Sequence, residues 1–314
     1  MDSFGNRFVQ MVAVLGAGGF VGRNLARELG DRFPVLTTTR KDLNLLDSAS
    51  VESFFSSHPE VTTVIHCAAV GGSRLTAYDA EKAEVVEQNL RMYFNVVRCL
   101  KPQQRLIYFG SGAEYARPHY EPKMGEDFFD SRVPADAYGF AKYSIAQHIG
   151  MNDNMLDLRI FGLYGPGEDY RYKFISNAIV KALLGLPITI AQNVVFDYLY
   201  IADFVRLVEK LLDCDWPYRH MNITPTQSID LVSLAKIINE VTGNKAGITV
   251  LHPGWNTEYT GDNRRLLEVV GPFDFTSYHE GIRELAAYYQ SVWDSLDLDV
   301  VRADPFLDKC IVKR

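Results

Sequence analysis

Gly16-Ala17-Gly18-Gly19-Phe20-Val21-Gly22 stands between a short apolar run, Met11–Leu15, and a segment, Phe20–Leu29, whose apolar residues recur at helical spacing. Strand, glycine turn and helix in that order put bare backbone N–H groups at a helix N-terminus, where they can cradle a pyrophosphate. The spacing is G-x-x-G-x-x-G. A G-x-G-x-x-G frame would place Val21 where helix and strand pack closely, and valine is too large for that position. A glycine-rich turn alone also suits an ordinary structural turn, so the flanking segments decide between the two readings.

Outward from the turn, Val35–Thr39 reads as a strand, Val51–Phe55 as a helix, Val61–Ala69 as a buried strand, Lys82–Leu100 as a long helix and Leu106–Gly110 as a strand. Tyr138–Ile149 follows as a helix and Leu156–Phe161 as a strand. This alternation predicts an α/β fold: a Rossmann doubly wound parallel sheet with a smaller, mostly C-terminal substrate-binding lobe. The turn Tyr164-Gly165-Pro166-Gly167 marks a change of character. Beyond it come a helix near Phe174–Leu184, a strand around Phe196–Ile201, a helix from Asp203 and a strand at Met221–Thr224, which returns the chain to the sheet. Ser228–Thr242 and Gly281–Trp293 read as helices, whereas Asp297–Arg314 has weak periodicity. The expected division is residues 1–163 plus about 197–225 as the dinucleotide domain, and about 164–196 plus 226–314 as the substrate lobe.

With 47% hydrophobic and 23% charged residues in 314, the chain can bury a large core, which excludes disorder. A net charge of -7 offers no basic field for a phosphate backbone, so no nucleic-acid partner is expected. No apolar stretch approaches the roughly 18–20 residues of a membrane span, and Met1–Arg7 lacks the order of a secretory signal. Cys67, Cys99, Cys214 and Cys310 are widely spaced with no C-x-x-C, which fits reduced thiols and a cytoplasmic home. The seven histidines show no ligand-like spacing, so no metal is expected. Neither a G-x-S-x-G elbow nor a G-x-x-x-x-G-K-[ST] loop occurs, against a serine hydrolase or a P-loop NTPase.

At the end of the second strand, where an NAD-preferring fold carries an acid, the chain has Thr38-Thr39-Arg40-Lys41. Cations there suit a 2′-phosphate and favour NADP, with NAD the alternative because Asp42 follows closely. Tyr138 and Lys142 lie four apart, on one face of a helix. A neighbouring ammonium and an oxidised nicotinamide would lower the phenol's pKa until it can exchange a proton with an alcohol or ketone. Ser111, at the end of Phe109-Gly110-Ser111-Gly112, is placed to hydrogen-bond the same oxygen.

Together these features resemble the extended branch of the short-chain dehydrogenase/reductase superfamily, the NAD-dependent epimerase/dehydratase family, over about residues 11–225. The closest likeness is to GDP-fucose synthase-type nucleotide-sugar 4-ketoreductases, carried by Thr39–Asp47 and Ala68-Ala69-Val70-Gly71-Gly72. The resemblance implies catalytic Ser111, Tyr138 and Lys142, with cofactor contacts from Gly16, Gly19, Phe20, Val21, Gly22, Arg40, Leu46, Asp47, Ala68, Ala69, Asn89 and Lys142. In it Asp47 bonds the adenine, and His66-Cys67-Ala68-Ala69 is the cofactor-lining end of the fourth strand. Ser111, Ala113, Lys173 and Asn177 are implied on the substrate side, and a homodimer is implied as the assembly.

Three positions depart from the family pattern. Ala113 stands where these reductases carry an epimerising cysteine, and the partner histidine falls near Lys173, so C3/C5 epimerisation is expected to be lost. Phe196 stands where an arginine meets the nucleotide diphosphate; Arg171, Lys173 and Arg264 are candidate substitutes, each also readable as a surface cation. Gly162 stands where relatives often have Asn. His66 reads as a satisfied core histidine, His119 as a loop surface residue, and Glu114 as either a sugar-steering carboxylate or a turn cap. The expected function is NADPH-dependent reduction of the C4 ketone of a nucleotide-linked 4-keto-6-deoxy sugar. The alternative is an NAD(P)-dependent nucleotide-sugar epimerase or dehydratase with tightly bound cofactor, and a non-catalytic cofactor-sensing protein is the third reading.

Overall fold

Short apolar runs form a six-stranded parallel sheet: β1 (Met11–Leu15), β2 (Val35–Thr38), β3 (Val61–His66), β4 (Arg105–Ser111), β5 (Met155–Ile160) and His220–Ile223. The computed structural model describes residues 10–72 and 83–313; Met1–Arg7 and Lys82, the first residue of the expected long helix, lie outside the described residues. The strand order is β2-β1-β3-β4-β5-His220–Ile223, so the winding reverses between β1 and β3. In such sheets the crevice outside the carboxyl ends of those two strands binds the ligand.

Alternation along β1 splits two cores. Val12 and Val14 face α1 (Phe20–Leu29) and the helix Ile201–Leu212, while Ala13 and Leu15 face α2 (Ser48–Ser57), α3 (Ala83–Val97) and α4 (Ala137–Gly150). Side-chain caps set the helix starts that periodicity left short. Asp47 accepts from Ala49 N–H at 3.0 Å to start α2, and Asp136 accepts from Gly139 N–H at 2.8 Å to start α4.

The strand expected over Val61–Ala69 ends at His66; Cys67 N–H donates to Leu15 O at 2.9 Å and the chain then leaves the ladder. It is the third strand in the chain, not the fourth. The Asp42–Asp47 segment is folded on itself by Asn44, whose side chain accepts from Leu46 N–H at 3.2 Å.

The later sequence differs more. Phe196–Ile201 is not one strand: Val195–Phe196 pairs antiparallel with Ile229–Asp230, Leu199–Tyr200 pairs with Leu163–Tyr164, and the next helix starts at Ile201. Asp197 separates the two pieces, fully buried and bonded to Gly261 N–H at 2.9 Å. Ile188–Asn193 pairs in parallel with Ile248–Trp255, a strand missed because it is exposed almost throughout and so shows no apolar alternation. The helices Phe174–Leu183, Leu231–Thr242 and Tyr278–Ser291 share a core through Ile179, Ile238 and Leu285. Among the described residues no helix is long and apolar enough to cross a membrane.

Candidate active site

The glycine turn joins β1 to α1 at the switch point. Gly16 has φ +86°, and a Cβ there would lie 2.9 Å from Ala68 N, so only glycine lets this turn meet the end of β3. A Cβ at Gly22 would lie 2.4 Å from Gly16 O, which keeps the first turn of α1 tight against the loop. Gly18 and Gly19 are exposed, and no acidic residue stands in the first turn of α1. The first N–H groups of α1, from Phe20 and Val21 onward, have no intrahelical acceptor. An open, glycine-bare helix N-terminus beside Ala68 fits a dinucleotide pyrophosphate.

Arg40 and Lys41 are exposed just beyond β2. Asp42 is committed elsewhere: its carboxylate accepts from Thr39 N–H at 2.8 Å and Thr39 O–H at 2.7 Å. Those hydrogen bonds hold its pKa below the usual value. Asp47 is exposed and caps α2, and Leu46 is half-buried. Asn89, 2% exposed, accepts from Val70 N–H at 3.0 Å and donates to Val70 O at 2.9 Å and Val85 O at 2.7 Å, so it clamps the loop after β3.

Ser111 ends β4 and Tyr138 lies in the first turn of α4, where the Ser111 hydroxyl opposes the rise of the Tyr138 phenol's pKa. Lys142, one turn on, is 2% exposed and donates to Phe109 O at 2.6 Å and Tyr108 Oη at 2.9 Å. Burial lowers its pKa, and the nearby Glu114 and Asp157 carboxylates oppose that shift. Burial is the largest influence on the Tyr138 phenol and raises it, with Ser111 opposing. Lys142 Nζ stands 5.8 Å from the Tyr138 ring centroid. Gly72 covers that ring from the β3 loop with φ +74°, and a Cβ there would lie 2.7 Å from Tyr138 Cζ.

Behind Ser111 lies a buried ionic cluster that the sequence did not reveal. Arg159 Nε contacts Glu114 Oε2 at 2.6 Å and Asp157 Oδ2 at 3.1 Å, and all three side chains are fully buried. Glu114 also accepts from Ser111 N–H at 2.8 Å as part of a capping box, which decides its role for the turn cap. Arg159 donates further to Tyr115 Oη at 3.0 Å, and Tyr115 to Asn222 Oδ1 at 2.7 Å.

Ala113 is buried beside Ser111, its N–H donating to Ser111 Oγ at 3.1 Å. Lys173 and Asn177 open the helix Phe174–Leu183, Lys173 exposed and Asn177 donating to Arg171 O at 3.3 Å; among the described contacts neither reaches Ser111 or Tyr138. Arg171 is paired with Asp169 at 2.8 Å and Arg264 with Asp262 at 2.6 Å. Phe196 lies edge-on to Tyr259, ring centroids 5.7 Å apart. Gly162 leaves no room for the expected Asn, since a Cβ there would lie 2.9 Å from Asp197 O. His66 is a core histidine against Tyr108, but neither ring nitrogen has a hydrogen-bond partner among the described residues. Burial, then the Lys142 charge, lowers it to about 4 and keeps it neutral. His119 is exposed. Among the described residues no group of three or more His, Cys, Asp and Glu could hold a metal ion.

A parallel sheet with a glycine cradle at its switch point and a Ser-Tyr-Lys constellation one strand away defines an NAD(P)-dependent oxidoreductase or epimerase. The chain belongs to the NAD dependent epimerase/dehydratase family, which matches residues 12–224. It is 25% identical to a dTDP-4-dehydro-6-deoxy-D-allose reductase from a Streptomyces species, covering 89% of this chain and 96% of the relative. It is 26% identical to the GDP-L-fucose synthase of Escherichia coli, covering 92% and 98%. In fold it is similar to a GDP-mannoheptose C4 reductase from Campylobacter jejuni with NADP bound, at TM-score 0.77 and 17% identity, covering 91% of this chain and 100% of that one.

Proposed function

We propose that this protein reduces the C4 ketone of a nucleotide-linked 4-keto-6-deoxy sugar with NADPH, without epimerising C3 or C5. The observation that carries the reading is the gathering of Ser111 at the carboxyl end of β4 with a half-buried Tyr138 and a buried Lys142 on α4, one strand from the glycine cradle. The named reductases among its relatives support the same chemistry. In this reading Gly16, Gly19, Phe20, Val21 and Gly22 hold the pyrophosphate, Ala68 and Ala69 line the cofactor, Asp47 meets the adenine and Arg40 meets the 2′-phosphate. Bound NADPH would supply hydride to the ketone carbon. Ser111 orients the ketone oxygen, and Tyr138 gives its phenol proton to that oxygen as it becomes an alkoxide. Lys142, with two of its three N–H groups on β4, offers the third to the nicotinamide ribose, and its charge stabilises the phenolate until solvent reprotonates it.

Residues 1–163 plus about 197–225 form the cofactor domain of this proposal, and 164–196 plus 226–314 the sugar lobe. The assembly is a homodimer through α3 and α4, where Phe94 and Phe140 are exposed; a monomeric mass in light scattering would overturn it. The four free thiols support a cytoplasmic location.

The test is incubation with GDP-4-keto-6-deoxymannose or dTDP-4-dehydro-6-deoxy-D-allose and NADPH in deuterated water. Oxidation of NADPH without deuterium at C3 or C5 is expected, because the Ala113 methyl cannot move a proton. Deuterium at those carbons would show that another acid epimerises; no turnover of either ketone would sink the reduction itself. Arg40→Ser is expected to raise the KM for NADPH about 10–100-fold through loss of a charge-assisted contact, with NADH changed less than about threefold. Equal changes for both cofactors would remove Arg40 from the 2′-phosphate.

A further inference from the structure

One row across the sheet is polar where the row before it is not. His66 on β3 pairs in register with Tyr108 on β4, and Tyr108 with Asp157 on β5. Two residues back along each strand the same face carries Val64, Leu106 and Met155, all buried in the core beneath α3 and α4. Tyr108 is 1% exposed, and its ring centroid lies 5.4 Å from that of Tyr93 on α3 and 5.4 Å from that of His66. A phenylalanine ring would make both contacts, so packing does not account for the hydroxyl. What the hydroxyl meets is Lys142. The Lys142 Nζ donates to Tyr108 Oη at 2.9 Å and to the carbonyl of the next residue, Phe109, at 2.6 Å.

The direction of this bond is fixed by the donor. An ammonium has three N–H groups and no acceptor, so the Tyr108 oxygen can only accept. Burial lowers Lys142 to about 8, with Glu114, Asp157 and Cys67 opposing, so the ammonium form prevails at neutral pH. A lysine carries its charge on a flexible four-carbon stem. With the Phe109 carbonyl alone, Nζ could swing about that one oxygen and its remaining N–H groups would have no set direction. Two acceptors on consecutive residues of one strand hold Nζ in place, and the tetrahedral nitrogen then aims its third N–H. We infer that Tyr108 is a positioning residue, its hydroxyl serving as the second acceptor on β4 that holds the Lys142 ammonium with one N–H turned to the nicotinamide ribose. The inference rests on the reading above that gives Lys142 to that ribose.

Tyr108→Phe keeps the ring, whose centroid lies 4.3 Å from Nζ, and removes only the acceptor. Affinity for NADPH, read by fluorescence, is expected to weaken about tenfold, the scale of one hydrogen bond. Lys142→Met, which keeps an unbranched stem without the ammonium, should weaken it at least as much. Adding Tyr108→Phe to Lys142→Met should cost nothing more, because the group through which Tyr108 acts is gone. A tyrosine needed only for packing would instead multiply its loss with that of Lys142→Met. Unchanged affinity in Tyr108→Phe beside a weakened Lys142→Met, or losses that multiply, would overturn the inference and leave the cofactor reading standing. Unchanged affinity in Lys142→Met, or a parent that binds neither NADPH nor NADH, would overturn the cofactor reading and the inference with it. NMR of the protein with isotope-labelled lysine reads the contact without any cofactor: Tyr108→Phe must move the Lys142 Nζ signal, and an unmoved signal overturns the inference.

Discussion

Tyr138→Phe is expected to lower kcat for ketone reduction by about 10³-fold while leaving NADPH affinity within about twofold. The ring contacts survive, since Gly72 packs on the carbons of the ring face, and the variant keeps the α4 cap at Asp136. Only the proton is lost, and without it the alkoxide must form unprotonated beside a buried Lys142. The same geometry fixes the pH dependence. Burial raises the phenol above its ordinary pKa near 10, so the acid is fully protonated throughout the neutral range. Reduction by the parent should therefore show no fall in kcat between about pH 6 and 9 from this group. A phenol lowered by Lys142 would give the opposite, a rate declining above neutrality. Steady-state kinetics of parent and variant across that range check both statements, and substantial activity in Tyr138→Phe would remove the residue from its role.

The cofactor half of the protein was legible because its constraints are local. Gly16 and Gly22 are glycine for reasons that act within a few residues, the φ of the turn and the contact of helix with loop, and such constraints leave a spacing in the sequence. Tyr138 and Lys142 share a helix face, which spacing also reveals. Asn89 shows a role that spacing does not announce: its amide is engaged by the backbone of Val70 and Val85. Tyr259 was invisible because its only signal is spatial. Its hydroxyl comes up against Gly112 from far along the chain, held by the two-residue strand Val195–Phe196, which carries no periodicity. Glu114 looked like a free carboxylate, since nothing near it in sequence announces Arg159.

Arg159→Met should be the most damaging substitution to the fold. Arg159, Glu114 and Asp157 are fully buried, and with Lys142 they put two basic groups and two carboxyls in the same interior. Removing the guanidinium leaves two carboxyls in the interior with one buried ammonium, and breaking a buried pair of this kind costs about 3–5 kcal/mol. Burial already raises both carboxyls above their ordinary values, with Arg159 opposing the rise. Without Arg159 they rise further, so the folded variant takes up protons that the unfolded chain has released. By linkage its stability must then fall as pH climbs from the ordinary carboxylate range through neutrality, more steeply than the parent's. Urea unfolding at pH 5 and pH 8 tests this: the gap between parent and variant should be wider at pH 8. A gap under about 1 kcal/mol, or one equal at both pH values, would show that the cluster is not held by its charges. The consequence reaches the chemistry, because Glu114 anchors the Ser111 N–H at 2.8 Å. An interior carboxyl that protonates or turns away to find a partner releases the backbone of the residue that orients the ketone. Loss of kcat in Arg159→Met should therefore exceed what the unfolded fraction alone explains.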